Sequence, residues 1–167
     1  MMLDTHRPTG FGSILHQTGA LHTAPLQCDY QAILDATVDA VFAAISNSEC
    51  LCGFVPGLQH ASVGQSERGL VRRCDFGNDM IVEEQIILWQ PPSAYAYAAI
   101  APNPFGLREH YATVTCNPCE EGTHLRWQHF FEHDDLAAMK SVLDGVFEQI
   151  FDGLLAQFGG QKLTTAN

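Results

Sequence analysis

Residues 135–158, DLAAMKSVLDGVFEQIFDGLLAQF, constrain the fold of this chain more than any other stretch. Apolar side chains recur at Met139, Leu143, Val146, Phe147, Ile150, Leu154 and Phe158. That three-and-four spacing predicts one face of a helix. Val142, Phe151 and Leu155 widen the stripe well past a coiled-coil seam, so the face requires a broad apolar partner. Asp134 or Asp135 can cap its start, and Gly159-Gly160 can end it with a residue at positive φ. About 24 residues make a helix roughly 36 Å long, enough to cross a small sheet.

The elements before it read in a definite order. Leu26 to Leu34 is a strand candidate. Thr37 to Ser46 is a short helix with Val38, Val41, Phe42 and Ile45 on one side, capped by Asp35 or Thr37. A second short helix is expected around Glu49 to Phe54. Six strand candidates follow: Leu58 to Val63, Leu70 to Phe76, Met80 to Trp89, Ala94 to Ile100, Glu109 to Cys116 and Thr123 to Phe131. Turn residues separate them at Gly64, Gly77-Asn78-Asp79, Pro91-Pro92, Pro102-Asn103-Pro104, Asn117-Pro118 and Glu121-Gly122. A strand, two short helices, six meandering strands and a long helix predict an α+β fold. Its antiparallel sheet of about seven strands curls around that helix and leaves room for a cavity.

At 167 residues the chain is long enough for one domain with a real core. Residues 1–25 read as a partly ordered extension, with Phe11 to Leu15 docking as one short turn. Residues 26–160 read as the domain and 161–167 as a tail. The formal charge of −11 argues against nucleic acid and against an anionic membrane surface. No apolar run reaches the roughly 20 residues of an integral membrane segment, and no secretory signal is visible. A cytoplasmic chain with reduced cysteines is therefore expected; self-association as a homodimer is compatible with the sequence.

The Gly69-Leu70-Val71-Arg72 segment, Glu84, the Pro91-Pro92…Tyr95-x-Tyr97 run and Gly122-Thr123-x-Leu125-x-Trp127…Phe131 together resemble the polyketide cyclase/dehydrase and lipid-transfer (START-like) superfamily. Ala36-Thr37-Val38-Asp39-Ala40-Val41-Phe42 is similar to that family's opening helix. The resemblance spans roughly residues 26 to 158 and implies a helix-grip fold. It implies little chemistry, because the family includes aromatase/cyclases, lipid carriers, hormone receptors and co-chaperone domains.

Side-chain parity then locates a candidate site. Alternate residues of a strand share a face. Leu70, Cys74 and Phe76 bring Arg72 inward, and Val82, Ile86 and Leu88 bring Glu84 inward. A three-residue Gly77-Asn78-Asp79 loop sets Phe76 opposite Met80 and Arg72 opposite Glu84; a two-residue loop would reverse one strand. By the same rule His110 goes in with Ala112, Val114 and Cys116. His129 goes in with Leu125, Trp127 and Phe131, and Tyr97 with Tyr95 and Ala99. Arg72, Glu84, Tyr97, His110 and His129, with Trp127 and the helix residues Met139, Leu143 and Phe147, are the candidate ligand-binding set. The competing account is structural: a buried Arg–Glu pair and two hydrogen-bonded histidines supporting a core.

Two function classes follow. One is a carrier or binding protein for a lipid, polyketide, isoprenoid or aromatic ligand. The other is a cyclase or dehydratase in which Arg72 polarises a carbonyl and a histidine or Tyr97 moves protons. A co-chaperone-like, protein-binding domain is a third reading. Cys50-Leu51-Cys52 with Cys116-Asn117-Pro118-Cys119 could in principle make a four-thiolate zinc site. C-x-C is an uncommon zinc spacing, however, and the pairs lie far apart, so neither metal nor other cofactor is expected.

Overall fold

The computed structural model describes residues 24–164. The predicted turn at Phe11 to Leu15 lies outside them. Strand β1 (Leu26–Leu34) leads into helix α1 (Val38–Ser46) and the single-turn α2 (Ser48–Leu51). Then come β2 (His60–Ser66), β3 (Gly69–Asp75), β4 (Ile81–Gln90), β5 (Ala94–Ala99), β6 (Arg108–Cys119) and β7 (Gly122–Glu132). Helix α3 (Leu136–Phe158) and β8 (Gly160–Leu163) complete the order. The eight strands form one sheet in the order β2-β3-β4-β5-β6-β7-β1-β8. All neighbours are antiparallel. The two short helices carry the chain from β1 to the far edge, and the meander then brings β7 back beside β1.

Local chemistry accounts for the helix ends. Thr37, not Asp35, caps α1 by accepting from the Ala40 N–H at 3.3 Å, and Asn47 caps α2 through the Glu49 N–H at 2.8 Å. Asp135 caps α3 at the Ala138 N–H, while Asp134 pairs with Arg108 instead. Gly159 and Gly160, at φ 76 and 108, end it. Of the wide stripe, Met139, Phe147, Ile150, Phe151 and Leu154 are buried. The last four pack against Ala32, Leu34, Tyr95, Val114, Leu125 and Trp127 of the sheet and Val41, Phe42 and Ile45 of α1, while Met139 packs with Cys28, Leu107 and Phe131. Apolar area on both sides of this contact leaves water together, which is the main term holding helix to sheet.

Gly64, expected at a turn, lies inside β2 opposite Val71, and three larger details also depart from the sequence reading. The first is the strand β8, which starts at the last residue read as domain and runs into the stretch read as tail. It pairs with β1 through Leu34↔Gly160 to Gln31↔Leu163, and Lys162 forms an ion pair with Asp152 of α3. A Cβ on Gly160 would collide with the Ile33 carbonyl oxygen, so only glycine allows this approach. The second is that Asn117-Pro118 is not a turn. β6 runs on to Cys119, with Cys116↔Leu125 and Cys119↔Gly122 in register, and Glu120-Glu121 make the turn. Pro118 then costs the ladder a single donor. The third is a bulge in β4, where Ile86 faces Tyr97 and Leu88 faces Ala96. The extra residue turns Leu88 away from the face shared by Glu84 and Ile86, and brings Trp89 onto Tyr95 and Phe42 at ring distances of 5.8 and 5.5 Å.

Candidate functional site

Between the concave sheet and the N-terminal half of α3 lies a cavity of about 410 Å³. Its wall includes all nine residues singled out by parity: Arg72, Glu84, Tyr97, Trp127, His110, His129, Met139, Leu143 and Phe147. Exposed Met80, on the β3–β4 hairpin, and exposed Val142, on α3, also border it. Exposed apolar residues on a cavity wall mark its opening.

The Arg72–Glu84 register follows from the predicted hairpin. Gly77, Asn78 and Asp79 all have left-handed φ (81, 52 and 61°), and the Phe76 N–H donates to the Met80 carbonyl at 2.9 Å. Three loop residues thus keep Arg72 opposite Glu84. Arg72 Nε donates to Glu84 Oε2 at 2.7 Å, and the guanidinium lies 4.7 Å above the Tyr97 ring and 5.9 Å above that of Tyr95. Their side chains are 5% and 14% exposed, so the pair is removed from water but not sealed on the Glu84 side. Burial alone would lower the arginine pKa. Glu84, followed by Tyr95, Tyr97 and Cys74, outweighs it and holds the group well above its usual value. Cys74, whose thiol reaches Glu84 Oε2 at 3.7 Å, is pushed up to about 12 by burial and then by that carboxylate. It is a neutral thiol, not a nucleophile.

The histidines form a directional chain. The Ala99 N–H donates to His110 Nδ1 at 3.0 Å, and His110 Nε2 lies 3.1 Å from His129 Nδ1. Because His110 Nδ1 accepts, its proton sits on Nε2 and is donated to His129 Nδ1. The neutral His129 ring then carries its proton on Nε2, which has no hydrogen-bond partner among the described residues. Tyr97 completes the row: its hydroxyl accepts from Trp127 Nε1 at 3.0 Å, and His129 packs edge-to-face on Phe147 at 4.7 Å.

Burial pulls His110 down to about 4, and burial followed by the neighbouring His110 holds His129 well below the usual histidine range. A depressed base binds protons in the unfolded chain first, so its stability contribution is complete above about pH 6.5. It is lost progressively as pH falls toward 4. From His110 alone the loss is about 2 kcal/mol by pH 5. Urea unfolding at pH 7 and pH 5 measures it, with the His110 and His129 imidazole resonances staying neutral throughout. Protonation of either ring near pH 6 in the folded protein would contradict the burial account.

Some of the wall was not anticipated. Phe105 and Leu107 come from the loop after β5. Asn103 anchors this loop by bonding both the Leu107 N–H and carbonyl, at 3.1 and 2.9 Å. His133 ties the loop to the start of α3, with Nε2 3.0 Å from the Phe105 carbonyl and Nδ1 accepting from the Asp135 N–H. Val55, Pro56, Gly57 and Leu58 line the cavity from the other end. Apolar residues inside proline-bearing loops were the available signal. Cys50, Cys52, Cys116 and Cys119, the four thiols that could in principle bind zinc, are not gathered into one site: among the described residues no group of three or more His, Cys, Asp or Glu is placed to hold a metal. Cys116 is buried in the core while Cys50 is exposed. Among the described residues, no helix is long and apolar enough to cross a membrane.

Known proteins of similar fold share this architecture. The protein XoxI from Bacillus cereus superposes with a TM-score of 0.64 at 15% identity, covering 78% of this chain and 92% of its own. A protein from Thermobifida fusca gives 0.65 at 18% identity, covering 78% and 93%. The di-domain ARO/CYC StfQ of the steffimycin biosynthetic pathway gives 0.61 at 12% identity, covering 77% of this chain and 47% of its own. These identities establish fold alone. No curated protein matches the sequence. The family model described as polyketide cyclase / dehydrase and lipid transport matches residues 26–159, nearly the whole domain from β1 to the end of α3. The chain belongs to the polyketide cyclase/dehydrase and lipid transport family.

Proposed function

We propose that this protein binds a small hydrophobic ligand, a lipid, polyketide or aromatic molecule, in the cavity between sheet and α3, as a carrier or binding protein. The observation that carries the reading is the wall itself. Phe105, Leu107, Met139, Leu143, Phe147 and Ile150 supply apolar surface, and a small polar cluster at one side can orient what enters. A volume of about 410 Å³ is in the range of small-molecule sites.

A cyclase or dehydratase acting in the same cavity is the second reading, supported by the proton-ordered His110–His129 pair and by the fold shared with an ARO/CYC protein. The chemistry of the groups weighs toward carrier. A general base works best with a pKa near the operating pH. Both histidines lie far below that, and the Arg72 charge is committed to Glu84.

Titration of delipidated protein with the neutral fluorophore N-phenyl-1-naphthylamine tests the reading. One probe per chain is expected. Leu143→Trp, which fills the cavity from α3, is expected to weaken binding about tenfold while the protein stays folded. Binding that ignores Leu143→Trp would place the probe elsewhere and remove the cavity from the function.

A further inference from the structure

The polar side of the cavity has an imbalance of charge and hydrogen bonding that narrows the ligand class. Its titratable groups are Arg72, Cys74, Glu84, Tyr97, His110 and His129. Arg72 and Glu84 cancel at 2.7 Å. The histidines are neutral, and burial followed by Glu84 keeps the Tyr97 phenol protonated. The formal charge of the wall is therefore zero. The remaining Arg72 N–H groups could still touch a carboxylate, but that carboxylate would leave the cluster with one uncompensated negative charge. The environment is apolar, and the chain already carries −11.

Hydrogen-bond capacity is unbalanced in the other direction. Tyr97 spends its oxygen as acceptor for Trp127, and its own proton has no acceptor among the described residues. The two-histidine chain ends in the His129 Nε2–H, also without an acceptor. Both rings are at least nine-tenths buried and line the cavity, with centroids 6.4 Å apart. Nε2 is itself enclosed, and its ring packs edge-to-face on Phe147, which also borders the cavity, so a ligand reaches Nε2 only when one of these two rings turns. A buried donor left unmade is costly, and the cost is recovered when an acceptor arrives.

We propose that the cavity selects an uncharged ligand, an apolar body bearing a carbonyl-type oxygen that accepts from Tyr97 and His129, over the corresponding carboxylate. The proposal rests on the cavity being a ligand site and goes further by assigning the polar end of that ligand and the two residues that read it.

The test is displacement of N-phenyl-1-naphthylamine from the full chain at neutral pH by 2-decanone, decanoate and decane. The expected order has 2-decanone binding at least about tenfold more tightly than decanoate. Tyr97→Phe and His129→Phe are each expected to lower the ratio of 2-decanone to decane affinity about tenfold, since one hydrogen bond to a buried donor is worth roughly that factor. The decane control absorbs any general change in cavity shape. The comparison of ketone with carboxylate needs no variant and stands even where a variant fails to fold. Decanoate binding as tightly as 2-decanone would overturn the proposal, with Arg72 reading an anion instead. A ketone-to-decane ratio unchanged in both variants would overturn it too, while leaving the hydrophobic cavity intact. Failure of all three probes to bind would bring down the cavity reading and this inference together.

Discussion

Glu84→Gln is expected to destabilise the protein by about 3–5 kcal/mol, because it leaves the Arg72 guanidinium charged, buried and unpaired. The side chain of Arg72 is 5% exposed and its Nε bonds Glu84 Oε2. The glutamine amide can still accept that bond, but it carries no charge to balance the cation. The faces of Tyr97 and Tyr95 already hold the guanidinium in the parent protein, an attraction of about 2 kcal/mol when desolvated, and do not replace the lost carboxylate. Arg72→Met is expected to be milder, since Glu84 is more exposed and keeps access to water through the cavity. The double variant Arg72→Met/Glu84→Gln is expected to recover most of the stability lost in Glu84→Gln, because it removes the stranded charge and keeps similar volume. Urea unfolding of the three variants measures the cycle. A cost below about 1 kcal/mol for Glu84→Gln would mean that water in the cavity already solvates the guanidinium.

Phe147 and Phe151 are 5% and 3% exposed, yet their replacement by alanine is expected to differ. Phe147 stacks on Tyr30 at 4.6 Å and meets Trp127 edge-to-face at 4.9 Å, but another side of it borders the cavity. Phe151 is absent from the cavity wall and packs wholly within the core around Ile150 and Leu154. Truncating a phenylalanine in a complete core costs about 3–5 kcal/mol, and the cost rises with the size of the void it leaves and the dispersion attraction forfeited around it. Phe151→Ala is therefore expected near 5 kcal/mol and Phe147→Ala near 3 kcal/mol, both about. Phe147→Ala should also admit a bulkier probe than the parent protein does. Equal costs at the two positions would show that the space beside Phe147 closes in solution.

The order of elements, the long helix and the inward set of polar residues were all legible in the sequence, because each depends on short-range rules. A helix stripe needs only the 3.6 period, and a strand face needs only alternation. Within the β3–β4 hairpin the Gly77-Asn78-Asp79 loop length decides the register, so Arg72 meets Glu84 through twelve residues of local chain. Parity failed where a bulge inserted a residue that no local pattern announces. Leu88 and Trp89 changed faces in β4, whereas the irregularity in β6 between Arg108 and Tyr111, with Glu109 at φ 48°, leaves His110 inward as parity placed it. Strand β8 was hidden because its four residues have no pattern of their own and gain order from the free edge of β1 and from the Lys162–Asp152 ion pair to α3. Tertiary structure alone brought Phe105 and Leu107 to the cavity, through Asn103 and His133 reaching across loops. It also set the direction of the histidine chain. That direction depends on one N–H, that of Ala99, which reaches His110 from the neighbouring strand and so leaves the spare proton on His129. Periodicity records which side of a strand a residue occupies. Which atom of that residue finds a partner is decided by neighbours far away in the chain.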